Sequence, residues 1–260
     1  MHPQTPLRYW HLLSLDAPTV AIVWTGFVAQ CAHLELPQVL LPSMFAAVWI
    51  LYAGDRLLDS HPRVNNHARD RLQERHHFHA RHRLFFLAML VLVTIGLTRL
   101  LIHIPLTFLV LYLVLCGVLG VYFVLIHMPP IALPKLPKEL IVGVFFAAAV
   151  FAPLTHSPLF FALPAAIFAG VCTLNCLFIN FWEGENKVSK RRIYLLSAAL
   201  LMFCVVGLCS EEPWALFAAC LFSVALLLAL HVLRNRLAPL TLRACADLVL
   251  LTPVLFMRIL

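Results

Sequence analysis

Nine stretches of this chain are too apolar, and too long, to be exposed to water as a set. They run from Leu15 to Ala32, Gln38 to Asp59, Leu84 to Leu101, Pro105 to Ile126, Glu139 to Leu154, Leu159 to Phe181, Ile193 to Cys209, Trp214 to Leu233 and Thr241 to Ile259. A transmembrane helix needs about 20 consecutive, mostly apolar residues. Lipid also forces such segments to be helical, because their backbone polar groups must be satisfied internally. Hydrophobic residues make up 62% of the chain and charged residues 12%, whereas a soluble domain carries roughly 25% charged residues. The expected fold is all-α: a polytopic membrane protein of nine transmembrane helices, forming a single membrane domain over residues 1–260. The N-terminus lacks the short apolar core and small-residue cleavage site of a signal peptide.

Lys and Arg in the loops set the orientation of such a chain. Of the 19 basic residues, all but Arg99 and Arg258 fall on one side: Arg8, the cluster from Arg56 to Arg83, Lys135, Lys138, the run from Lys187 to Arg192, and Arg234, Arg236 and Arg243. The other side carries the acidic Ser210-Glu211-Glu212 turn. This alternation predicts a multi-pass protein of the bacterial inner (cytoplasmic) membrane with its N-terminus in the cytoplasm. The net charge of +7 is then mainly a topology signal, with some of it available to anionic headgroups or a phosphorylated substrate. No nucleic-acid partner is expected. Of the eight cysteines, most lie within the apolar stretches and none forms a Cys-x-x-Cys pair, which points away from a disulfide framework or a zinc site.

Chemistry concentrates at the loops of the basic side. Asp55-Arg56-Leu57-Leu58-Asp59 closes the second stretch. On a helix, Asp55 and Asp59 stand one turn apart on one face, with Tyr52 three residues before Asp55. Two carboxylates so placed can share a divalent cation, and Mg²⁺ commonly combines one or two carboxylates with substrate phosphate oxygens. Equally, the acids can simply pair with Arg56 and Arg63. The loop from Ser60 to Arg83 is rich in Arg and His, with Leu72, Phe78 and Leu84 interspersed. A short interfacial helix from about Asn66 is expected there, apolar residues against the bilayer. Its His pairs at i,i+3 can hold a metal, and its bases can balance a bound diphosphate. Four prolines between Met128 and Lys138 prevent a long helix and hold Lys135 and Lys138 at the mouth of the fifth span. At the end of the sixth, Asn180 and Glu183 share a face, and Gly184 ends the helix, leaving Glu185 in a loop.

Two acidic clusters at one membrane level, on the second and sixth spans, resemble the UbiA superfamily of intramembrane prenyltransferases over nearly the whole chain. That family has nine helices and two Asp-rich motifs at the cytoplasmic ends of helices two and six. Leu51, Tyr52, Asp55-Arg56 and Asp59 stand where its first motif reads Asn-Asp-x-x-Asp-x-x-x-Asp, and Asn180-x-x-Glu183 with Glu185 where the second commonly reads Asp-x-x-Asp. Ser14-Leu-Asp16-Ala-Pro18 is similar to its Arg-x-Asp-Lys-Pro start of helix one, and Lys135 to Gly143 to its basic start of helix five.

The resemblance implies transfer of a polyprenyl group from its diphosphate to an aromatic or other lipophilic acceptor, dependent on Mg²⁺, in a divergent member with degenerate motifs. It implies that Asp55, Asp59 and Glu183 are the catalytic metal ligands. Tyr52, Arg56, Arg63, Lys135, Lys138, Asn180 and Glu185 are then the substrate-binding set. The partners implied are polyprenyl diphosphate, the acceptor and membrane lipids. A catalytically silent isoprenoid- or partner-binding member is the alternative, because the motifs carry fewer carboxylates. A transporter would need a span with a polar stripe; Asp247 is the only acid well within a span.

Overall fold

The computed structural model of the protein describes residues 6–59, 74–127, 137–154, 160–184, 189–209 and 213–258, with the side chains of 59, 74–76 and 122–127 excepted. Every regular element among the described residues is helical. The α-helices are α1 (Pro6–Leu12), α2 (Asp16–Cys31), α3 (Leu40–Asp59), α4 (Glu74–Arg81), α5 (Arg83–Leu101), α6 (Leu106–His127), α7 (Lys138–Phe151), α8 (Ala162–Trp182), α9 (Lys190–Leu208), α10 (Trp214–Leu233) and α11 (Pro239–Leu248). Four of them, α5, α8, α9 and α10, are long and apolar enough to cross a membrane, and the α1–α2 pair makes a fifth if counted as one bent span. The protein is therefore membrane-embedded. Its exposed surface agrees: α5 presents Leu84, Phe85, Val91, Leu92 and Ile95 outward, and α6 presents Val110, Leu113, Val114 and Val118, faces that only lipid covers at low cost.

The centre of the bundle is α8. Its inward residues Phe168, Val171, Leu174 and Phe178 recur at helical spacing and are fully buried. Trp24 of α2 lies against Phe168 with ring centroids 4.1 Å apart. The Trp24 indole N–H is satisfied by the Leu250 carbonyl at 2.6 Å, which ties α2 to the C-terminal segment. The closest helix pair is α7 with α8, and Gly143 makes it possible. A Cβ at 143 would sit 2.3 Å from Thr173 Oγ1 and 2.6 Å from the Ala169 carbonyl. The remaining principal pairs are α2 with α3, α3 with α5, and α9 with α10.

A helix over Glu74–Arg81 lies in the stretch where an interfacial helix is expected; the expected start near Asn66 lies outside the described residues. Two other sequence expectations change. The ninth stretch is not one helix. After α11 the chain tightens into a 3₁₀ segment over Val249–Leu255, with a break at Leu251 and Pro253 inside it, because proline removes a backbone donor and crowds the preceding turn. The first stretch is preceded by α1, which meets α2 at 93°. At that corner Ser14 adopts φ +61°. Leu15 N–H donates to the Trp10 carbonyl at 3.0 Å and Ser14 N–H to that of His11 at 3.1 Å. This is the paired C-terminal bonding of a Schellman turn, with serine where glycine is usual. At the end of α8 Gly184, at φ +77°, takes the left-handed position that the sequence assigned to it.

Candidate functional site: an ionic cluster at the basic end of the bundle

The corner at Ser14 turns α1 so that His11 points into the bundle beside Asp16. Both are fully buried, and His11 Nδ1 lies 2.5 Å from Asp16 Oδ2. A buried carboxylate is costly unless paired, and the last turn of α3 supplies the pair. The buried row of α3 is Trp49, Ala53 and Arg56, which aims Arg56 at the corner. Its guanidinium donates to Asp16 Oδ2 at 3.1 Å, to Tyr52 Oη at 2.7 Å, to the His11 carbonyl at 2.6 Å and to Ser14 Oγ at 3.3 Å. It also lies over the Tyr52 ring, 4.2 Å from the centroid. Tyr52 O–H in turn donates weakly to Asp16 at 3.5 Å.

From there the cluster continues through α11 to α8. Asp247 Oδ2 lies 3.6 Å from His11 Nδ1, and its Oδ1 accepts from Asn175 Nδ2 of α8 at 3.0 Å. Arg243, one turn before Asp247, donates to the Glu183 carboxylate at the end of α8. Tyr52 and Asp247 also lie within its electrostatic reach. Asn180 donates to Glu139 of α7 at 2.7 Å, beside Lys138, which is exposed at the start of that helix. Behind this wall His231 of α10 accepts from the Trp182 indole at 3.0 Å. Indole can only donate, so the neutral imidazole carries its proton on Nε2, 3.3 Å from Tyr194 Oη. That contact joins α8, α9 and α10.

The structure thus brings Tyr52, Arg56 and Glu183 of the expected set into one cluster, with Asn180 and Lys138 at its edge. α3 and α8 are not a principal packing pair; α11 packs on α8 and on α1 and α2, which carry the cluster on to Arg56 of α3. Asp55 is half-buried, one position round the helix from Arg56. Arg63, Lys135, Glu185 and the side chain of Asp59 lie outside the described residues. His11 is an addition that no local sequence pattern announced. Asp247 and Arg243 had a signal, an acid deep in an apolar stretch with a base one turn away, but nothing named their partners.

Within the cluster the carboxylates of Asp16, Glu183 and Asp247 lie with the guanidiniums of Arg56 and Arg243. Asp247 Oδ2 is a buried acceptor with no hydrogen-bond donor among the described residues. His11, Asp16 and Asp247 form the one group of metal-ligating side chains among the described residues, with ligand atoms within 4.8 Å of one another. They supply two carboxylates and an imidazole, not the all-oxygen set that a hard cation such as Mg²⁺ favours, and Arg56 already holds Asp16. The guanidiniums present a planar fork of the kind that suits phosphate oxygens. No family model, curated protein or solved structure matches the chain.

Proposed function

We propose that the protein is a UbiA-like intramembrane prenyltransferase, transferring a polyprenyl group from its diphosphate to an aromatic or other lipophilic acceptor. The observation that carries this reading is the convergence of α1, α2, α3, α8 and α11 on one ionic cluster at the basic end of an otherwise apolar bundle. A diphosphate needs cations and hydrogen-bond donors; its polyprenyl tail needs apolar helices. The arrangement offers both within one chain. Nine membrane-spanning segments, a bacterial inner membrane and a cytoplasmic N-terminus belong to the same proposal and rest on the distribution of Lys and Arg.

Arg56 and Arg243 would contact phosphate oxygens directly, with Arg63, Lys135 and Lys138 at the mouth of the site. Tyr52 offers a phenolic hydroxyl that is uncharged at neutral pH and so adds hydrogen bonding without charge. Mg²⁺ would be held by Asp55 and Asp59, with Glu183 as a second acidic contact and Asn180 and Glu185 beside it. When bound it would neutralise charge developing on the departing diphosphate. The apolar helices would exclude water from the allylic cation while the acceptor attacks it.

A second reading is a catalytically silent member that holds an isoprenoid or a partner protein. It is favoured by the ion pairs themselves: Glu183 is engaged by Arg243 and Asp16 by Arg56, so two of the acids are already neutralised. Purification with native lipids followed by mass spectrometry tests what both readings share. A co-purifying isoprenoid supports them, and a lipid complement free of isoprenoids sinks both the enzyme and the isoprenoid-binding member, leaving only a partner-binding one. Turnover then separates the two.

A further inference from the structure

Three buried acceptors in the ionic cluster have no donor among the described residues: Asn175 Oδ1, Asp247 Oδ2 and His11 Nε2. Buried polar atoms in folded proteins almost always have a partner, so orphans gathered at one place point to a group that the chain itself does not supply. Two of the three belong to one bonded pair, since Asn175 Nδ2 donates to Asp247 Oδ1 at 3.0 Å. Asn175 is 5% exposed, so bulk solvent does not serve its carbonyl oxygen. Beside this pair, His11, Asp16 and Asp247 bring ligand atoms from α1, α2 and α11 within 4.8 Å of one another.

The spacing suits a single ion. Asp247 Oδ2 lies 3.6 Å from His11 Nδ1, too far for a hydrogen bond. Two atoms each bound about 2.1 Å from one metal stand roughly 3.0–3.7 Å apart. His11 Nδ1 is 2.5 Å from Asp16 Oδ2. An ionised carboxylate only accepts, so that nitrogen carries the imidazole proton. An ion would replace the proton there, and the proton would move to Nε2. Arg56 engages Asp16 through Oδ2. Oδ1 accepts from the Ala17 N–H at 3.1 Å and keeps a second lone pair for a metal. One imidazole nitrogen among carboxylate and amide oxygens is a mixed set. It suits borderline first-row ions such as Zn²⁺ and Mn²⁺ better than Mg²⁺.

We propose that His11, Asp16, Asp247 and the Asn175 carbonyl oxygen form a binding site for one divalent transition-metal ion of the Zn²⁺ and Mn²⁺ class. The ion would clamp the N-terminal corner of the chain to α8 and α11. This site is distinct from the Mg²⁺ proposed for Asp55, Asp59 and Glu183, and it stands whether or not the protein turns over a prenyl substrate. The test uses untagged full-length protein, freed of metal with a chelator and dialysed against Zn²⁺ or Mn²⁺ with excess Mg²⁺ and no diphosphate. Elemental analysis should find Zn²⁺ retained in equal ratio to the chain. The Mn²⁺-loaded protein should show coupling to an imidazole nitrogen in its pulsed EPR spectrum, and His11→Gln should remove that coupling. Asp247→Asn keeps shape and removes charge. It should weaken Zn²⁺ retention by at least about tenfold, the loss that changing even a hydrogen-bond partner of a ligand brings. Asp55→Asn should leave both readouts unchanged. Absence of uptake overturns the site and leaves ordered water as the partner of the orphaned acceptors. Nitrogen coupling that survives in His11→Gln also overturns it, by placing the ion on another histidine. Loss of uptake in Asp55→Asn does the same, by placing the ion at the proposed Mg²⁺ site. The wild-type spectrum and Asp247→Asn decide even where His11→Gln does not fold: a spectrum without nitrogen coupling, or unchanged Zn²⁺ retention, refutes the assignment.

Discussion

Replacing Arg56 by methionine removes a guanidinium and keeps most of its apolar stem. Arg56 is 3% exposed and its partner Asp16 is fully buried. In Arg56→Met, Asp16 loses its guanidinium and keeps the His11 imidazole as a hydrogen-bond partner. Tyr52 Oη, Ser14 Oγ and the His11 carbonyl each lose a donor. Breaking a buried pair from one side costs about 3–5 kcal/mol, because the remaining charge stays desolvated. At roughly 2–4 °C per kcal/mol for a chain of this size, the melting temperature should fall by about 6–20 °C. Asp16→Asn in the same background removes the stranded charge. The double variant should therefore melt above Arg56→Met alone, a coupling of more than about 1 kcal/mol. Intrinsic tryptophan fluorescence of the detergent-solubilised protein reads this directly, with all variants heated at one rate because such unfolding is rarely reversible. An Arg56→Met protein that melts with wild type refutes the pairing. Single-variant losses that simply add in the double variant refute the coupling.

The Arg243–Glu183 pair is less buried, its side chains 17% and 18% exposed. Glu183→Gln should therefore cost about 1.5–3 kcal/mol, a smaller drop than Arg56→Met in the same melting assay. Gly143→Val drives a side chain into Thr173 and the Ala169 carbonyl and should destabilise by about 1–3 kcal/mol or more as α7 and α8 are forced apart. Gly96→Ala, where an added Cβ meets nothing within 4 Å, should stabilise α5 by about 0.5–1 kcal/mol instead. Equal effects at the two glycines would show that helix contact is not what Gly143 serves.

The apolar stretches were legible because lipid imposes a single solution on backbone polar groups, and each of them carries helix in the structure. The end of α8 was legible at Gly184 because a left-handed residue after a helix has few other readings. Less local features were not. Ser14 holds a positive φ because its hydroxyl and the Schellman bonds fix it from outside the tetrapeptide; sequence alone showed only an unremarkable serine before Asp16. The broken C-terminal segment was hidden by its apolar composition, and Pro253 was its only mark. At the site, Asp55 and Asp59 drew attention as a pair on one helix face, yet among the described charged residues of α3 the one that is buried is Arg56. A lone acid such as Asp247 announces the cost of its burial, but its contact partners come from α1 and α8, more than seventy residues away. His11 lay on a seven-residue helix with no periodic signal of its own.

Release of diphosphate from a labelled polyprenyl diphosphate by the reconstituted protein, measured with Mg²⁺ and again with a chelator, tests the proposed chemistry most directly. Release should require Mg²⁺, and Asp55→Asn, which keeps shape and removes charge, should abolish it. Tyr52→Asp, which adds a carboxylate one turn deeper, should strengthen metal binding. Diphosphate bound equally with Mg²⁺ or chelator, and never released, would contradict the enzyme reading and leave an isoprenoid-binding protein in its place.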